Sequence, residues 1–240
     1  AMAVGWAFDG TDWYYADGSG ALASGWRSVN GAWYWLDIAN DNRMVTGFFS
    51  IGSNRYHFSS TGALSLGWFM SDGDWYYAEP SNASGIVKTG WLKDGSQYYY
   101  LDPAVDGKML LGHFSVNGKS YYAKGSGAVA CREWVDVQDS VQDGPSKAFA
   151  GSDCSLCGTL RNGKLFTSNG DGELVEARGF VTLGGCIFYV DPTNGSLSVG
   201  WQNVNGKWYF FDETAGYARS GWLSKDGSWF YFCLLYTSDA

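Results

Sequence analysis

Apolar residues in this chain fall into short blocks that are separated by polar turns. Residues 25–37 read GWRSVNGAWYWLD, and residues 200–212 read GWQNVNGKWYFFD. In each block a Gly-Trp pair opens a first apolar run, an Asn-Gly dipeptide follows, and a second run of aromatic residues closes the block. Consecutive residues of a β-strand point to opposite faces, so these runs predict strands that bury side chains on both sides.

The Gly-aromatic pair recurs at a nearly constant interval. Successive spacings are 20, 22, 20 and 23 residues from Gly5 to Gly90, and 21 and 21 residues from Gly179 to Gly221. A short period of this kind is typical of a solenoid with one supersecondary unit per repeat. Clear repeats begin at Gly5, Gly25, Gly47, Gly67, Gly90, Gly179, Gly200 and Gly221, and weaker ones at Gly112, Glu133 and Gly158.

Each repeat carries its own turn signal. An Asn-Gly or Asp-Gly dipeptide lies between the two apolar runs at residues 30–31, 72–73, 94–95, 117–118, 162–163, 205–206 and 226–227. These dipeptides favour type I′ turns, whose twist matches paired antiparallel strands. A single hairpin is only marginally stable in water, so the hairpins must stack. We therefore predict an all-β solenoid of stacked β-hairpins with repeats of about 20–23 residues.

The pattern is interrupted near the middle of the chain and at its end. Residues 135–156 keep the length of a repeat but lose its aromatic pattern. We predict a first array over residues 1–130, a degenerate or interrupting segment over 131–157 and a second array over 158–232. The chain opens in mid-repeat, so we expect an N-terminal region outside this sequence. Residues 233–240, CLLYTSDA, resemble a translated sequencing-library adapter, and we interpret them as a non-native tail.

Three positions, counted from the Gly of each repeat, differ in the residues that they tolerate. Position 9 is almost always aromatic, which predicts a structural spine formed by Tyr14, Tyr34, Tyr56, Tyr76, Tyr99, Tyr121, Phe188, Tyr209 and Phe230. Positions 1 and 8 vary, since they hold Phe48 and Arg55 in one repeat and His113 and Ser120 in another. We therefore expect the aromatic residues at positions 1 and 8 to be partly exposed.

Exposed aromatic pairs that recur along a rod predict ligand sites. The candidate ligand-binding residues are Trp6, Trp13, Trp26, Trp33, Trp68, Trp75, Trp91, Tyr98, Trp201, Trp208, Trp222 and Trp229. The alternative is that every one of them packs in the core, as aromatic residues at strand spacing commonly do, in a structural or adhesive stalk without a small-molecule ligand. The content of thirteen tryptophans favours ligand sites, because a thin stack of hairpins needs fewer.

The succession of Gly-Trp, turn, Trp-Tyr-Tyr, Asp and Gly-x-Met or Gly-x-Leu resembles the cell-wall-binding repeats of bacterial surface proteins. This superfamily includes choline-binding repeats, glucan-binding repeats of glucosyltransferases and the repeat regions of large clostridial toxins. The resemblance covers residues 1–130 and 158–232. It implies aromatic cages formed by positions 1 and 8 of one repeat and an aromatic residue of the next. Carried over, the cages are Trp6, Trp13 and Trp26; Trp68, Trp75 and Trp91; and Trp201, Trp208 and Trp222.

The resemblance also implies that the repeats with Phe48 and Arg55, or with His113 and Ser120, hold no ligand. Intact cages suit two kinds of ligand. A quaternary ammonium group would gain cation–π attraction, and a sugar ring could stack on the same aromatic faces. The expected function is a multivalent cell-wall or glycan-binding module of a bacterial surface or secreted protein. Its expected partner is choline-bearing teichoic acid or a polysaccharide of a cell wall.

The charge and the scarcity of catalytic motifs exclude several other classes of protein. A net charge of −8 disfavours nucleic acid and anionic membranes as partners, and we expect no membrane insertion. Both histidines, His57 and His113, stand at aromatic positions, and the sequence contains no Gly-x-Ser-x-Gly, P-loop or His-Glu-x-x-His motif. We predict no enzyme in this fragment, although a catalytic domain can lie outside it, and we place the protein outside the cell, at the wall or surface.

The five cysteines lie outside the aromatic positions that define the repeats. Cys154 and Cys157 are separated by two residues, but the spacings of 23 and 29 residues to Cys131 and Cys186 match no standard zinc finger. We expect disulfides or free thiols of an exported protein rather than a metal site. We predict no cofactor. Cys233 belongs to the predicted non-native tail, and without it four cysteines remain.

Overall fold

The computed structural model describes residues 3–137, 146–169, 171 and 173–233. The chain divides into two compact units, Ala1–Leu110 and Leu111–Ala240. Apart from three short 3₁₀ turns at Ile38–Asn40, Ser81–Ala83 and Pro103–Val105, the regular structure of the described residues consists of β-strands. In the part of the chain that the structure describes, no helix has the length and apolar character needed to cross a membrane.

The first unit contains five hairpins, two of which carry a short third strand. Its strands are β1 (Gly5–Phe8), β2 (Trp13–Ala16), β3 (Gly25–Val29), β4 (Ala32–Asp37), β5 (Arg43–Met44), β6 (Gly47–Ile51), β7 (Asn54–Phe58), β8 (Gly67–Ser71), β9 (Asp74–Ala78), β10 (Gly90–Asp94), β11 (Gln97–Asp102) and β12 (Lys108–Met109). The pairs β1–β2, β3–β4, β6–β7, β8–β9 and β10–β11 are antiparallel.

The second unit contains four two-stranded hairpins and one larger sheet. Its strands are β13 (Gly112–Val116), β14 (Lys119–Ala123), β15 (Glu133–Val137), β16 (Ser146–Ala150), β17 (Leu156–Arg161), β18 (Lys164–Ser168), β19 (Leu174–Glu176), β20 (Gly179–Leu183), β21 (Cys186–Val190), β22 (Gly200–Val204), β23 (Lys207–Phe211), β24 (Gly221–Lys225) and β25 (Ser228–Phe232). The prediction of an all-β solenoid of stacked hairpins is confirmed.

Six of the seven Asn-Gly and Asp-Gly dipeptides have the backbone conformation that the sequence predicts. The prediction is wrong at Asp94-Gly95, because Asp94 belongs to β10 and pairs with Gln97, so that the turn lies at residues 95–96. Asn30 and Gly31 both have positive φ, at 51° and 82°, as the two central residues of a type I′ turn require. The Gly that opens each repeat is needed for its backbone rather than for space. Gly200 has φ 66°, a region that side chains with a Cβ rarely adopt, and no atom lies within 4 Å of the place where its Cβ would be.

The buried core lies at position 11, a position that the sequence analysis did not single out. The residues there are at most 2% exposed in eight repeats, namely Ala16, Leu36, Phe58, Ala78, Leu101, Ala123, Val190 and Phe211. The predicted spine at position 9 is wrong in most repeats, because only Tyr56, Tyr121 and Phe188 are buried there. Position 11 is covered because the segment after each hairpin folds back along it, as in the bridges of Phe58 with Leu64 and of Phe211 with Ala218.

Successive repeats stack through these returning segments. The backbone N–H of Val87, in the segment after β9, donates to the carbonyl of Arg55 on β7 at 2.8 Å. Gly85 lies directly against Leu64 of the preceding repeat, and a Cβ at Gly85 would come within 2.5 Å of the Leu64 side chain. Each hairpin therefore completes the sheet edge and the core of its neighbour, which is how a thin repeat array buries enough apolar surface.

The predicted interrupting segment, residues 131–157, contributes to a five-stranded sheet in the order β15-β16-β17-β18-β19. The register shifts between Ala148 and Phe149, where β16 pairs with β17. Phe149 is fully buried in a cluster with Phe188 and Leu165. Residues 138–145, within the segment, lie outside the described residues, as do residues 234–240 of the predicted non-native tail.

Candidate aromatic ligand-binding site

Positions 1 and 8 of a repeat share one face of their hairpin. Trp201 on β22 pairs with Phe210, and two residues later Asn203 pairs with Trp208 on β23. Residues two apart on a strand point to the same face, so Trp208 lies diagonally across from Trp201. Their ring centroids are 6.4 Å apart with planes at 80°. The hairpin register therefore creates an open corner between two indoles.

A third ring closes this corner from the next repeat. Phe230 on β25 lies 4.8 Å from Trp201, with the ring planes at 72°. We call this three-ring site the Trp201 pocket. It encloses about 420 Å³ and is also lined by Lys225, Asp226 and Ser228 of the following turn.

The Trp26 pocket repeats the arrangement in the first unit. Trp26 and Trp33 have centroids 6.3 Å apart with planes at 84°, and Tyr56 of the next repeat lies 5.2 Å from Trp26. The pocket encloses about 400 Å³, and residues 82–84, from the loop two repeats further along, complete its wall. Two separate hairpin arrays thus build the same site from the same positions.

Two further pockets share the ring contact between repeats. In the Trp6 pocket, Trp6 lies 4.7 Å from Tyr34. In the Trp68 pocket, Trp68 lies 4.8 Å from Tyr99. The indole N–H of Trp68 donates to a carboxylate oxygen of Asp94 at 2.8 Å, which fixes the ring and brings a negative charge to the rim. Position 8 of these two repeats holds Trp13 and Trp75.

The ring of the next repeat that contacts position 1 is not the one that the resemblance implies for the cage. In the described contacts, position 1 meets position 9 of the next repeat, so Tyr34, Tyr99 and Phe230 take the places that the resemblance assigned to Trp26, Trp91 and Trp222. The physical reason is that side chains alternate between the two faces of a strand, so position 9 lies on the opposite face of its hairpin from position 8. This opposite face of the next repeat is the one that meets the preceding indole. Position 9 is therefore better described as a wall of the pocket than as the structural spine of the array.

The tryptophans of the four pockets are partly exposed, as the varied residues at positions 1 and 8 predict. Position 8 is the more open of the two, with Trp13, Trp33, Trp75 and Trp208 between 38% and 63% exposed. Trp201 is 36% exposed, and Trp6, Trp26 and Trp68 are half-buried. A ligand in these pockets would therefore meet one ring that is largely fixed by packing and one that faces solvent.

Two further predicted pairs begin at Trp91 and at Trp222. Trp91 and Tyr98 are both exposed, and Trp91 packs on Tyr100 of its own hairpin at 5.2 Å. Trp222 and Trp229 are about 70% exposed, with centroids 6.5 Å apart. Among the described residues, the ring contacts of Trp222 lie within its own hairpin.

The two repeats that are expected to hold no ligand have different side chains at positions 1 and 8. The guanidinium of Arg55 lies over the ring of Phe48, with Cζ 5.3 Å from the centroid. His113 packs on Tyr122 at 4.8 Å, and Ser120 lies beside Ser115. The other histidine, His57, is buried against Phe69 and Phe48, and burial lowers its pKa.

The cysteines form one disulfide, between Cys131 and Cys154. Cys157 and Cys186 are free and pack in the core cluster around Phe188. Burial raises the pKa of Cys157 to about 11, so this thiol stays protonated at neutral pH. Within the described part of the chain, no group of three His, Cys, Asp or Glu residues is placed to hold a metal ion.

Family models match the repeats that form these pockets. A model described as a choline-binding repeat matches residues 198–233, which contain the Trp201 pocket. A model described as a putative cell wall binding repeat matches residues 4–22, 24–37, 46–64, 67–81 and 89–104. The chain belongs to the cell-wall-binding repeat superfamily. No curated protein matches it.

Solved structures of similar repeat proteins cover most of the chain. The modular autolysin LytC from Streptococcus pneumoniae, in complex with a synthetic peptidoglycan ligand, is 21% identical, with a TM-score of 0.51 over 87% of this chain and 51% of that chain. Choline binding protein F from Streptococcus pneumoniae, in the presence of a peptidoglycan analogue, is 23% identical, with a TM-score of 0.41 over 97% of this chain and 85% of that chain. Alternansucrase in complex with isomaltononaose is 23% identical, with a TM-score of 0.37 over 95% and 17%. The likeness to LytC shows a shared fold.

Proposed function

We propose that this chain is a multivalent module that binds quaternary ammonium groups, such as the choline of a teichoic acid, on the wall of a bacterium. The observation that carries the proposal is one ring contact, repeated at Trp6, Trp26, Trp68 and Trp201, to which the indole at position 8 adds a third ring at Trp26 and Trp201. In each, the ring of position 1 and the ring of the next repeat lie 4.7–5.2 Å apart at a steep angle. Edge-to-face rings leave a concave corner whose walls are aromatic faces.

Such a corner suits a cation without hydrogen-bond donors. Attraction between a quaternary ammonium group and an aromatic face contributes about 0.5–2 kcal/mol per ring and is strongest for tryptophan. Sugar rings stack best on a broad, flat aromatic surface with hydrogen-bonding groups at its edge. The angled walls of the Trp26 and Trp201 pockets therefore favour the cation.

Acidic side chains at the rim support the same ligand class. Asp94 is held at the Trp68 ring, and Asp226 lines the Trp201 pocket. Lys225, which also lines the Trp201 pocket, is paired with Glu213 at 2.9 Å, and this hydrogen bond raises its pKa. The pair limits the repulsion between Lys225 and a bound cation, whereas Asp226 attracts it.

The repeats are assigned a binding role and no catalytic one. Individual pockets that rely on three rings bind weakly, but several pockets on one array can raise the apparent affinity by a factor of about 10²–10⁴. A module of this kind would hold a surface or secreted protein at the cell wall, and any catalytic activity would then belong to a region outside these repeats.

Indole signals in ¹H–¹⁵N NMR spectra test the proposal pocket by pocket. Choline chloride at up to tens of millimolar, against sodium chloride at equal ionic strength, should shift the indole N–H signals of Trp33 and Trp208. The signal of Trp134 is the internal control, because its indole N–H donates to the Ala215 carbonyl at 2.8 Å, away from the pockets.

The same titration separates the competing functions. Isomaltose should leave the pocket signals in place if the pockets select cations. A shift with isomaltose and none with choline would assign the pockets to sugars instead. If choline, isomaltose and purified wall fragments all left every indole signal unchanged, the binding function would be refuted and the structural stalk would remain.

A further inference from the structure

The repeat that begins at Gly47 retains most of the pocket architecture without its tryptophans. Phe48 at position 1 and Tyr76 at position 9 of the next repeat have centroids 4.9 Å apart with planes at 67°. Those values lie within the range of the four tryptophan pockets. Two of the three walls are therefore present at the same spacing and angle. We call this site the Phe48 pocket.

The third wall of the Phe48 pocket is a cation that belongs to the chain. Arg55 stands at position 8 and pairs with Ser50, as Trp33 at position 8 pairs with Ser28. The Arg55 guanidinium lies over the Phe48 ring, with Cζ 5.3 Å from the centroid. A guanidinium over an aromatic face makes the same attraction that a bound ammonium would make.

A carboxylate from a later repeat completes the coordination of this cation. Nη2 of Arg55 donates to Asp106 Oδ2 at 3.2 Å, and Nη1 donates to Ser50 Oγ at 3.3 Å. Asp106 follows the 3₁₀ turn Pro103–Val105, two repeats after Phe48. The Trp26 pocket is closed at the equivalent place by residues 82–84, the loop two repeats after Trp26. Asp106 therefore occupies the rim of the Phe48 pocket.

We propose that Arg55 is the resident cation of the Phe48 pocket: it fills a ligand site with the protein's own guanidinium and ties that repeat to the loop at Asp106. The site is thus closed to an external quaternary ammonium group. The cation–π contact that a ligand would make is made instead by Arg55, which links two repeats of the chain. The half of this inference that concerns an external ligand rests on the proposed function. The internal contact does not.

Replacing Arg55 by tryptophan should open the pocket. Equilibrium dialysis with radiolabelled choline should then show one more choline bound per chain in Arg55→Trp than in the natural sequence. Lys207→Trp is the matched control, because it also replaces a cation of a second strand by tryptophan, at an exposed position 7 whose preceding repeat, with Phe180 and Ile187, has no tryptophan pair. Its stoichiometry should equal that of the natural sequence. An unchanged stoichiometry in a folded Arg55→Trp protein would overturn the closed-site assignment.

The internal contact is tested without any ligand. Urea unfolding of Arg55→Gln, Asp106→Asn and the double variant forms a double-mutant cycle. The two side chains are partly exposed, at 37% and 63%, so the expected coupling is small. If the two side chains interact, each single variant loses the interaction and the double variant loses it only once. We therefore expect the unfolding equilibrium constant of the double variant to be about two- to fivefold smaller than the value obtained by multiplying the two single-variant effects. Strictly additive effects would refute the tie.

The two experiments keep the two proposals separate. If the natural sequence binds no choline, the proposed function fails, while the cycle still decides whether Arg55 is a structural cation. If the natural sequence binds choline and Arg55→Trp adds no site, the proposed function stands and the present inference fails. An Arg55→Trp protein that does not fold leaves the decision to the cycle, in which additivity counts against the inference.

Discussion

Replacing Trp208 and replacing Phe211 by alanine should have opposite consequences, although the two residues lie three positions apart on β23. Trp208 is 63% exposed and forms the outer wall of the Trp201 pocket. Phe211, at position 11, is fully buried and bridges to Ala218 in the returning segment. The first change removes a ligand contact and the second removes a core contact.

The expected magnitudes follow from these environments. Loss of one of three rings removes about 0.5–2 kcal/mol of cation–π attraction, so choline binding in the Trp201 pocket should weaken by about 2- to 30-fold. An exposed ring contributes little to folding, so the free energy of unfolding of Trp208→Ala should fall by less than about 1 kcal/mol. A buried Phe cut to Ala costs about 3–5 kcal/mol, a large share of the 5–15 kcal/mol typical of a domain.

Two measurements on each variant decide the matter. Urea unfolding followed by far-UV circular dichroism gives the stability, and the shift of the Trp201 indole N–H signal with choline gives the affinity of the remaining pocket. Phe211→Leu serves as a milder core variant that stays folded, and its pocket should bind choline normally. If Trp208→Ala destabilised the protein as much as Phe211→Ala does, Trp208 would be a core residue and the pocket assignment would lose its main support.

Three further predictions concern charge and cross-links. Asp226→Asn should weaken choline binding in the Trp201 pocket by about fivefold at low salt and by less at high salt, because an exposed charge contributes about 1 kcal/mol and salt screens it. The shift of the Trp201 indole signal measures the affinity, and an equal loss at high salt would contradict the electrostatic role. Burial lowers the pKa of His57 in the folded protein below its ordinary value of 6.5. As the pH drops below about 6.5, the unfolded chain binds a proton at His57 before the folded protein does, so the stability should fall. The variant His57→Tyr carries the residue that Tyr77 provides at the same position of the next repeat. Its melting temperature should depend less on pH between pH 7 and 5 than that of the natural sequence, and an unchanged dependence would refute the role of His57. Reducing the bond between Cys131 and Cys154, which are separated by 23 residues, should cost about 3 kcal/mol of stability, and a Cys131→Ser, Cys154→Ser variant should show the same loss without reductant.

The hairpins and the tryptophan pairs could be predicted because both depend on local rules. An Asn-Gly dipeptide fixes its turn within four residues, and a turn of known length fixes which residues of the two strands face each other. Positions 1 and 8 therefore had to share a face once the hairpin was recognised. Variation among the repeats at these positions then indicated that they were exposed.

The core and the third ring of each pocket could not be predicted in the same way, because both depend on how one repeat meets the next. Position 11 holds residues as different as Ala16, Leu36 and Phe58, so it lacks the aromatic signature that drew attention to position 9. Its one common property is that it is apolar in every clear repeat, and aligning the repeats for that property alone would have found it.

The five-stranded sheet was missed for a related reason. Residues 133–176 have few of the Gly-aromatic pairs that mark a repeat, and β16 pairs with β17 through a bulge that breaks the simple period of two. Asn162 and Gly163 kept their turn, so the hairpin β17–β18 was visible in the sequence, but its joining to β16 and β19 was not. Pairing beyond a hairpin is decided by packing, here around Phe149 and Phe188.

The separation between a core at position 11 and pockets at positions 1, 8 and 9 explains how one array can contain sites of different kinds. A change at position 8 leaves the turn, the strand pairing and the buried residue of its repeat in place. Trp208 at this position forms the exposed wall of the Trp201 pocket, whereas Arg55 at the same position places its guanidinium in the Phe48 pocket. On the proposed function, the number of ligand sites could therefore change one repeat at a time. Because avidity multiplies weak sites, each such change would alter the strength of attachment without altering the fold.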